Sequence, residues 1–251
     1  MSATAAAVRK PSAERPEWDT NQSVRHASII AGVGILLMSA LSAFGIFVAL
    51  EGLVTQGDAA RTATDIRASE GLFRFGIVSL FLIVALDVVV AWALFRVFSP
   101  VSTGISMLAA LFRLVYAGIF MIAIGQLVGV LRLLGNDEYL TVFNPDQLHA
   151  HALLRIETFT DLWDAGLVLF GLHLLVIGYL AYRSDYMPKL LGVLLGIAGF
   201  GYVFDSFGAA LFQGLSFEIA SFTFIGEFLL ALWLVIRGRR ITLSESSITQ
   251  T

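Results

Sequence analysis

The sequence predicts an all-α polytopic membrane protein, a bundle of six transmembrane helices with both termini in the cytoplasm. Of its 251 residues, 57% are hydrophobic and only 14% are charged, whereas soluble domains carry about a quarter charged residues. The mean hydropathy is +0.83. Six apolar runs reach the length of about 20 residues that crosses a hydrocarbon core of roughly 30 Å. A soluble single-core protein and an intrinsically disordered chain are therefore excluded.

The first three predicted spans cover about residues 28–50, 71–98 and 105–134. The second ends at Ser99-Pro100 and the third at Gly135-Asn136-Asp137, because proline, glycine and polar turn residues stop helices. The first span has an alternative interpretation as a signal peptide, since Ser39-Ala40-Leu41-Ser42-Ala43 resembles a cleavage site. The apolar run continues beyond that site, which favours a retained span. Residues 51–70 mix charged with small residues and are a candidate interfacial helix.

The last three predicted spans cover about residues 162–182, 188–212 and 217–236. A continuous helix is predicted to begin at Asn144-Pro145-Asp146 and to run into the fourth span. Pro188 belongs in the first turn of the fifth span. The basic run Arg237-Gly238-Arg239-Arg240 ends the sixth span.

The distribution of basic residues predicts the orientation of the bundle. Ten of the 16 Lys and Arg residues fall in segments that are cytoplasmic when both termini are inside, as the positive-inside rule requires. Residues 1–27 are accordingly predicted as a disordered cytoplasmic tail and residues 239–251 as a second cytoplasmic tail. Residues 28–238 form the predicted transmembrane domain, and the predicted location is the inner (plasma) membrane of a bacterium.

Composition and motif content exclude several functional classes. The chain has no cysteine, which removes disulfides, thiolate nucleophiles and cysteine-based metal sites. A net charge of −3 and a pI near 5.8 argue against a nucleic-acid partner, which needs a basic face. His149 and His151 are two positions apart, so on a helix they do not face one another, and no metal site is predicted. No phosphate-loop or dinucleotide motif occurs, so no cofactor is predicted.

Four ionisable residues are predicted to lie at one depth, near the bilayer midplane. Asp87, Arg113, His173 and Glu227, called here the midplane cluster, each lie roughly ten residues from the inner end of a span, which is about 15 Å along a helix. Such residues often mark proton relays or substrate sites, and an internal salt-bridge network is the alternative. Asp87 is predicted to contact Arg113, because consecutive helices joined by a short turn are usually neighbours.

A second polar layer is predicted nearer the outer surface. Its members are Arg74, Asp161, Asp164, Tyr202 and Asp205. The functional interpretation is an acidic vestibule that opens to the outside, and the alternative is a set of solvated helix ends. Asp205 is harder to explain by solvation, since it lies deep in an apolar stretch.

The glycines of the fifth span form a separate pattern. Gly192, Gly196 and Gly199 make a stripe of small residues. This spacing predicts close packing of the fifth span against a neighbouring helix.

Several stretches of the chain resemble a known family. They are Gly71-Leu72-Phe73-Arg74-Phe75-Gly76-Ile77, Ala85-Leu86-Asp87-Val88, Leu111-Phe112-Arg113-Leu114-Val115, Phe170-Gly171-Leu172-His173-Leu174 and Gly226-Glu227 with Trp233. Together they resemble the bacterial membrane family labelled domain of unknown function 4386, over about residues 28–238. Phe200 and Phe204 replace the aliphatic residues expected there.

The resemblance implies a bacterial inner-membrane protein with several helices and no assigned chemistry. It marks six residues as motif positions, and it names no substrate. Those residues are Arg74, Asp87, Arg113, His173, Asp205 and Glu227.

Three functional hypotheses remain open. The first is small-solute or proton-coupled transport, or binding of a small ligand, at the midplane cluster. The second is a non-catalytic structural or regulatory membrane component, in which the cluster only fixes helix packing. The third is an intramembrane enzyme with His173 as general base and a carboxylate as its partner; it ranks below the first, because no strong nucleophile or metal cluster is present. The expected partners are the lipid bilayer and a small ligand or proton.

Overall fold

Seven α-helices and no strands make up the described part of the chain, which comprises residues 17–135, 138–211 and 219–241 of a computed structural model. The helices are α1 Glu17–Ser42, α2 Ala59–Ala68, α3 Glu70–Phe98, α4 Thr103–Leu133, α5 Pro145–Arg183, α6 Lys189–Leu211 and α7 Ile219–Ile236. A π-helical segment, Ala43–Leu50, continues α1, and short 3-10 turns cover Glu138–Val142 and Gly238–Arg240.

Five of these helices are long and apolar enough to cross a membrane. The qualifying segments are Asn21–Leu50, Glu70–Phe98, Thr103–Leu133, Pro145–Arg183 and Lys189–Gly208. The predicted fold class, an all-α polytopic membrane protein, is therefore confirmed. The sixth span stays a prediction, because the apolar segment found in α7, Ile225–Ile236, is shorter.

The helix boundaries differ from the predicted spans mainly at α1. This helix begins at Glu17, so the predicted tail of residues 1–27 is wrong from residue 17 onward. The added turns are held by tertiary packing, since Val24 and Ala27 are buried and Ser23 accepts a hydrogen bond of 2.6 Å from Arg96. The first sixteen residues, the predicted border between the fifth and sixth spans at residues 212–218, and the tail from residue 242 lie outside the described residues.

The predicted helix beginning at Asn144-Pro145-Asp146 is confirmed. α5 begins at Pro145 and continues without a break to Arg183. Oδ1 of Asn144 accepts from the backbone N–H of Gln147 at 2.8 Å, and Oε1 of Gln147 accepts from the backbone N–H of Asn144 at 3.0 Å. This capping box satisfies N–H groups that the first turn leaves free, and proline suits that turn.

Six helices, α1 and α3 to α7, form a closed ring. α3 packs on α1 and α4, α5 packs on α4 and α6, and α7 packs on α6 and α1. α2 packs mainly against α5, outside the ring's own contacts. The midplane cluster lies within this ring, and all four of its residues are buried.

Hydrogen bonds identify which segments share an end of the bundle. Arg25 in α1 donates to the carbonyl of Ile241 at 2.8 Å, and Tyr186 donates to the carbonyl of Val97 at 2.7 Å. These contacts place the start of α1, the end of α3, the α5–α6 connection and the end of α7 together, at what we call the terminal end. The opposite end, called the far end, includes Arg67, which donates to the carbonyl of Leu134 at 3.2 Å.

α5 and α6 approach so closely that only glycine fits at several positions. A Cβ atom added to Gly192 would lie 2.6 Å from the backbone N of Tyr182, and one added to Gly199 would lie 2.6 Å from the carbonyl O of Gly171. The predicted close packing is thus confirmed at these two glycines. A Cβ on Gly196 would meet no atom within 4 Å, so this member of the stripe has free space.

Candidate functional site

The centre of the midplane cluster is an ion pair between α3 and α4. Nη2 of Arg113 lies 2.8 Å from Oδ1 of Asp87, and the side chains are 3% and 0% exposed. The predicted contact between the two residues is confirmed. Because both side chains are buried, removing either charge would leave the other uncompensated, at a high cost in free energy.

His173 connects this ion pair to α5. Its Nδ1 lies 2.8 Å from the carbonyl O of Ala109, and its Nε2 lies 3.2 Å from Nη1 of Arg113. A carbonyl only accepts and a guanidinium only donates, so the proton sits on Nδ1 and Nε2 accepts from Arg113. The imidazole is therefore neutral, and its lone pair is already used. This geometry argues against His173 as a general base.

Two further groups hold the Arg113 side chain. The guanidinium carbon lies 5.3 Å from the centroid of the Phe170 ring, within the range of a cation–π interaction. Nη2 also lies 3.7 Å from Sδ of Met38 in α1. Arg113 thus contacts groups from three other helices, α1, α3 and α5, which fixes its position relative to the ring.

Glu227 brings α6 and α7 into the cluster. Its side chain is buried, interacts with the hydroxyl of Tyr202, and lies within electrostatic range of Arg113 and Asp87. Each of the six ring helices therefore supplies at least one side chain to this region. In chain order these are Met38, Asp87, Arg113, His173, Tyr202 and Glu227.

Four buried polar atoms of the cluster have no hydrogen-bond partner among the described residues. They are Oδ1 and Oδ2 of Asp87, Nε of Arg113 and Oε1 of Glu227. Buried polar atoms are satisfied in the great majority of cases, and an unsatisfied one costs about 1–3 kcal/mol. The cluster therefore offers both a donor and acceptors to a small polar group, whereas no group of three or more metal-binding side chains occurs in the described ranges.

The predicted outer polar layer does not come together as one site. Arg74 pairs with Glu70 on its own helix at 2.7 Å, and both side chains are more than half exposed. Asp161 is exposed and Asp164 is partly buried, as expected for one helix face at the far end of the bundle.

The other two predicted members of the outer layer both lie on α6. Tyr202 contacts Glu227, so the structure places it with the midplane cluster and not with the outer layer. Asp205 is partly buried on the same helix. The sequence grouped Tyr202 with the outer layer, whereas the structure shows its hydroxyl interacting with Glu227 of α7.

Sequence reasoning missed Met38 and Phe170. Phe170 is three positions before His173, so the two share a helix face, and their rings lie 5.9 Å apart. That spacing was a usable signal. Met38 carried no signal, because a methionine in an apolar span is indistinguishable from packing residues.

Two cavities lie at the ends of the bundle, away from the cluster. One, of about 570 Å³, is lined by the α5–α6 connection and the end of α7. The other, of about 560 Å³, is lined by the far ends of α4 and α5 and includes Arg132 and Arg155. Neither is lined by a residue of the midplane cluster.

A ring of apolar helices around a buried ion pair defines an all-helical, multi-pass membrane protein. The chain belongs to the family described as "Domain of unknown function (DUF4386)", which matches residues 30–238, so the resemblance seen in the sequence is confirmed. Over 168 residues the chain is 40% identical to an "Uncharacterized protein" of Archaeoglobus fulgidus, an alignment that covers 67% of this chain and 86% of that protein. No solved structure matches the chain.

Proposed function

We propose that this protein is a carrier in the plasma membrane of a bacterium, which moves a small polar solute in a step coupled to a proton on Glu227. The observation that carries the proposal is a second buried carboxyl group beside a single guanidinium. Glu227 shares the cluster with Asp87 and Arg113, and its Oε1 has no hydrogen-bond partner in the described part of the chain.

Charge balance explains why Glu227 suits this role. Arg113 neutralises one carboxylate, Asp87, at 2.8 Å. His173 adds no positive charge, because its two ring nitrogens already donate to Ala109 and accept from Arg113. A charge near the bilayer centre costs at least about 2.5–3.5 kcal/mol. Glu227 is therefore expected to hold a proton unless a cationic group or Arg113 compensates its charge.

Competition for Arg113 provides the coupling step. When Glu227 loses its proton, its carboxylate competes with Asp87 for the same guanidinium. These two carboxyls lie on α7 and α3, the two neighbours of α1 in the ring, so a change of partner alters the contacts on either side of α1. A polar solute that binds the unsatisfied atoms of the cluster favours one of these two arrangements. Because the same choice of arrangement is linked to the proton on Glu227, solute binding and protonation are coupled.

Proton movement in proteoliposomes tests the proposal. The wild-type protein and Glu227→Gln are reconstituted with a trapped pH-sensitive dye, and small amines, carboxylates and sugars are added in turn. At least one solute class is expected to change the internal pH with the wild type. Glutamine has nearly the same shape but carries no titratable proton, so the rate should fall at least about tenfold.

A matched control uses an acidic residue outside the cluster. Asp161→Asn removes a carboxylate from an exposed position of α5 and is expected to leave the rate unchanged. Equal rates for the wild type and Glu227→Gln, or no proton movement with any solute class, would contradict the proposed function.

A structural component is the second candidate, and a specific observation favours it. Asp87, Arg113 and His173 already form an enclosed network that joins three helices. If the cluster only fixes packing, Asp87→Asn lowers stability and no variant of Glu227 alters a solute response. The enzyme hypothesis is disfavoured, because the ring nitrogens of His173 are both engaged.

A further inference from the structure

The cavity at the terminal end is a groove with basic walls. It has a volume of about 570 Å³ and is lined by the side chains of Trp233, Arg237 and Arg240 from the end of α7, opposite Tyr186 in the α5–α6 connection. We call it the arginine groove. It is separate from the midplane cluster and has no part in the proposed transport step.

Hydrogen bonds fix the two sides of the arginine groove. The Tyr186 hydroxyl donates to the carbonyl of Val97 at 2.7 Å, which ties the α5–α6 connection to α3. Burial, together with the negative charge of Asp185, raises the pKa of Tyr186 above its ordinary value, so this donor stays neutral at physiological pH. On the other side, Arg25 donates to the carbonyl of Ile241 at 2.8 Å, which holds the turn that carries Arg240.

The charges of the groove favour an anion. Arg237 and Arg240 are both exposed, and neither forms an ion pair with an acidic residue that the structure describes. Asp185 also lines the groove, so two guanidiniums stand against one carboxylate. Guanidinium groups present planar pairs of donors that match phosphate oxygens.

The position of the groove favours a lipid over a soluble anion. α7 ends at Ile236, directly before Arg237, and α6 begins at Lys189, so the groove lies where the apolar parts of the ring helices end. Trp233 lies one turn of α7 before Arg237, and tryptophan is enriched at the level of lipid headgroups. Basic pockets between transmembrane helices at this depth suit anionic headgroups.

We propose that the arginine groove binds the phosphodiester headgroup of an anionic membrane lipid. Arg237 and Arg240 contact the phosphate, and Trp233 packs beside the glycerol and the first carbons of the acyl chains. The bound lipid joins the end of α7 to the α5–α6 connection.

Native mass spectrometry of the purified full-length protein tests this site. The probe is phosphatidylglycerol, titrated against the wild type, Arg237→Gln/Arg240→Gln and a matched control, Arg183→Gln/Arg239→Gln. The control removes the same charge from the same end, and neither of its residues lines the groove. Each arginine near a phosphate should strengthen lipid binding about fivefold. Losing both arginines should therefore weaken retention of phosphatidylglycerol about 30-fold. The control should retain phosphatidylglycerol as the wild type does.

The single variants Arg237→Gln and Arg240→Gln keep the test decisive if the double variant does not fold. Each should weaken retention about fivefold. Equal losses in the control and groove variants would overturn the proposal, as would equal retention of phosphatidylcholine by the wild type. If inorganic phosphate alone raises the wild-type melting temperature, but not that of the groove variants, the groove binds a soluble anion and the lipid proposal is wrong.

Discussion

Asp87, Arg113 and His173 depend on one another more than on any other neighbours. The guanidinium forms an ion pair with the carboxylate at 2.8 Å and donates to the imidazole at 3.2 Å, and all three side chains are buried. Removing one partner of such a pair leaves the other charge uncompensated in a low-dielectric interior. The stability of the bundle is therefore expected to be sensitive to substitution at these positions, whatever the function of the protein.

Asp87→Asn is expected to lower the free energy of unfolding by about 3–5 kcal/mol, because Arg113 is left without its counter-ion. The measurement is unfolding of the purified protein in mixed micelles, followed by circular dichroism. The control is Glu70→Gln, which breaks the exposed pair with Arg74 and should cost about 0–1 kcal/mol. Similar losses of unfolding free energy for the two variants would show that the buried pair contributes no more to stability than the exposed pair.

The contact between Asp87 and Arg113 could be predicted from the sequence, but the hydrogen bonds of the midplane cluster could not. Counting residues from the span ends placed Asp87 and Arg113 at one level, and a short turn made them neighbours. The tautomer of His173 and the contact between Tyr202 and Glu227 depend on how each helix is rotated about its axis. That rotation is set by packing against other helices, which a single sequence does not give.

At the scale of elements, the close contact between α5 and α6 depends on glycines, which have no side chain. Backbone atoms of one helix occupy the space where Cβ atoms of the other would lie, as at Gly192 and Gly199. The stripe of glycines predicted this contact, whereas the freedom of Gly196 depends on the exact crossing geometry and was not predictable.

Gly199→Ala is expected to destabilise the protein by about 1–3 kcal/mol, because the added methyl group would lie 2.6 Å from the carbonyl O of Gly171. Gly196→Ala is the matched control on the same helix. Its methyl group has free space, and alanine favours helix by up to about 1 kcal/mol. The midpoint of thermal unfolding checks both variants. A Gly199→Ala variant as stable as the wild type would mean that α5 and α6 can move apart without a loss of unfolding free energy.

Helix boundaries were predictable where a polar or helix-breaking residue punctuates the chain. Asn144 and Pro145 marked the start of α5 correctly. The start of α1 at Glu17 was missed, because its first turns are polar and carry no apolar run. Tertiary contacts such as the bond from Arg96 to Ser23 keep them helical, and such contacts are not visible in local sequence.

At the scale of the whole molecule, the ring contacts agree with helices that alternate in direction. The start of α1, the end of α3 and the end of α7 share the terminal end. The fold class followed from composition and run length. Six spans were predicted, whereas five helices of the described residues are long and apolar enough to cross a membrane, and the sixth span stays a prediction. The side of the membrane on which each end lies rests on the positive-inside rule alone.

Cysteine labelling is expected to place the terminal end in the cytoplasm. The chain has no native cysteine, so Gln56→Cys at the far end and Asp185→Cys at the terminal end introduce single reactive sites at exposed positions. A membrane-impermeant maleimide should label Gln56→Cys in intact cells and Asp185→Cys only after lysis. The reverse pattern would show that the bundle is inserted the other way round.

The contact between α1 and α7 can form only after the other helices of the ring have been synthesised. α1 emerges first, yet one of its two neighbours in the ring is the last helix, against which Gly32 packs at Ala231 and Leu234. Until α7 is inserted, that face of α1 has no partner within the chain, and the ion pair of Asp87 and Arg113 sits in an open arc of helices. Since contacts between distant segments form late, ring closure and the arrival of Glu227 are one and the same final step.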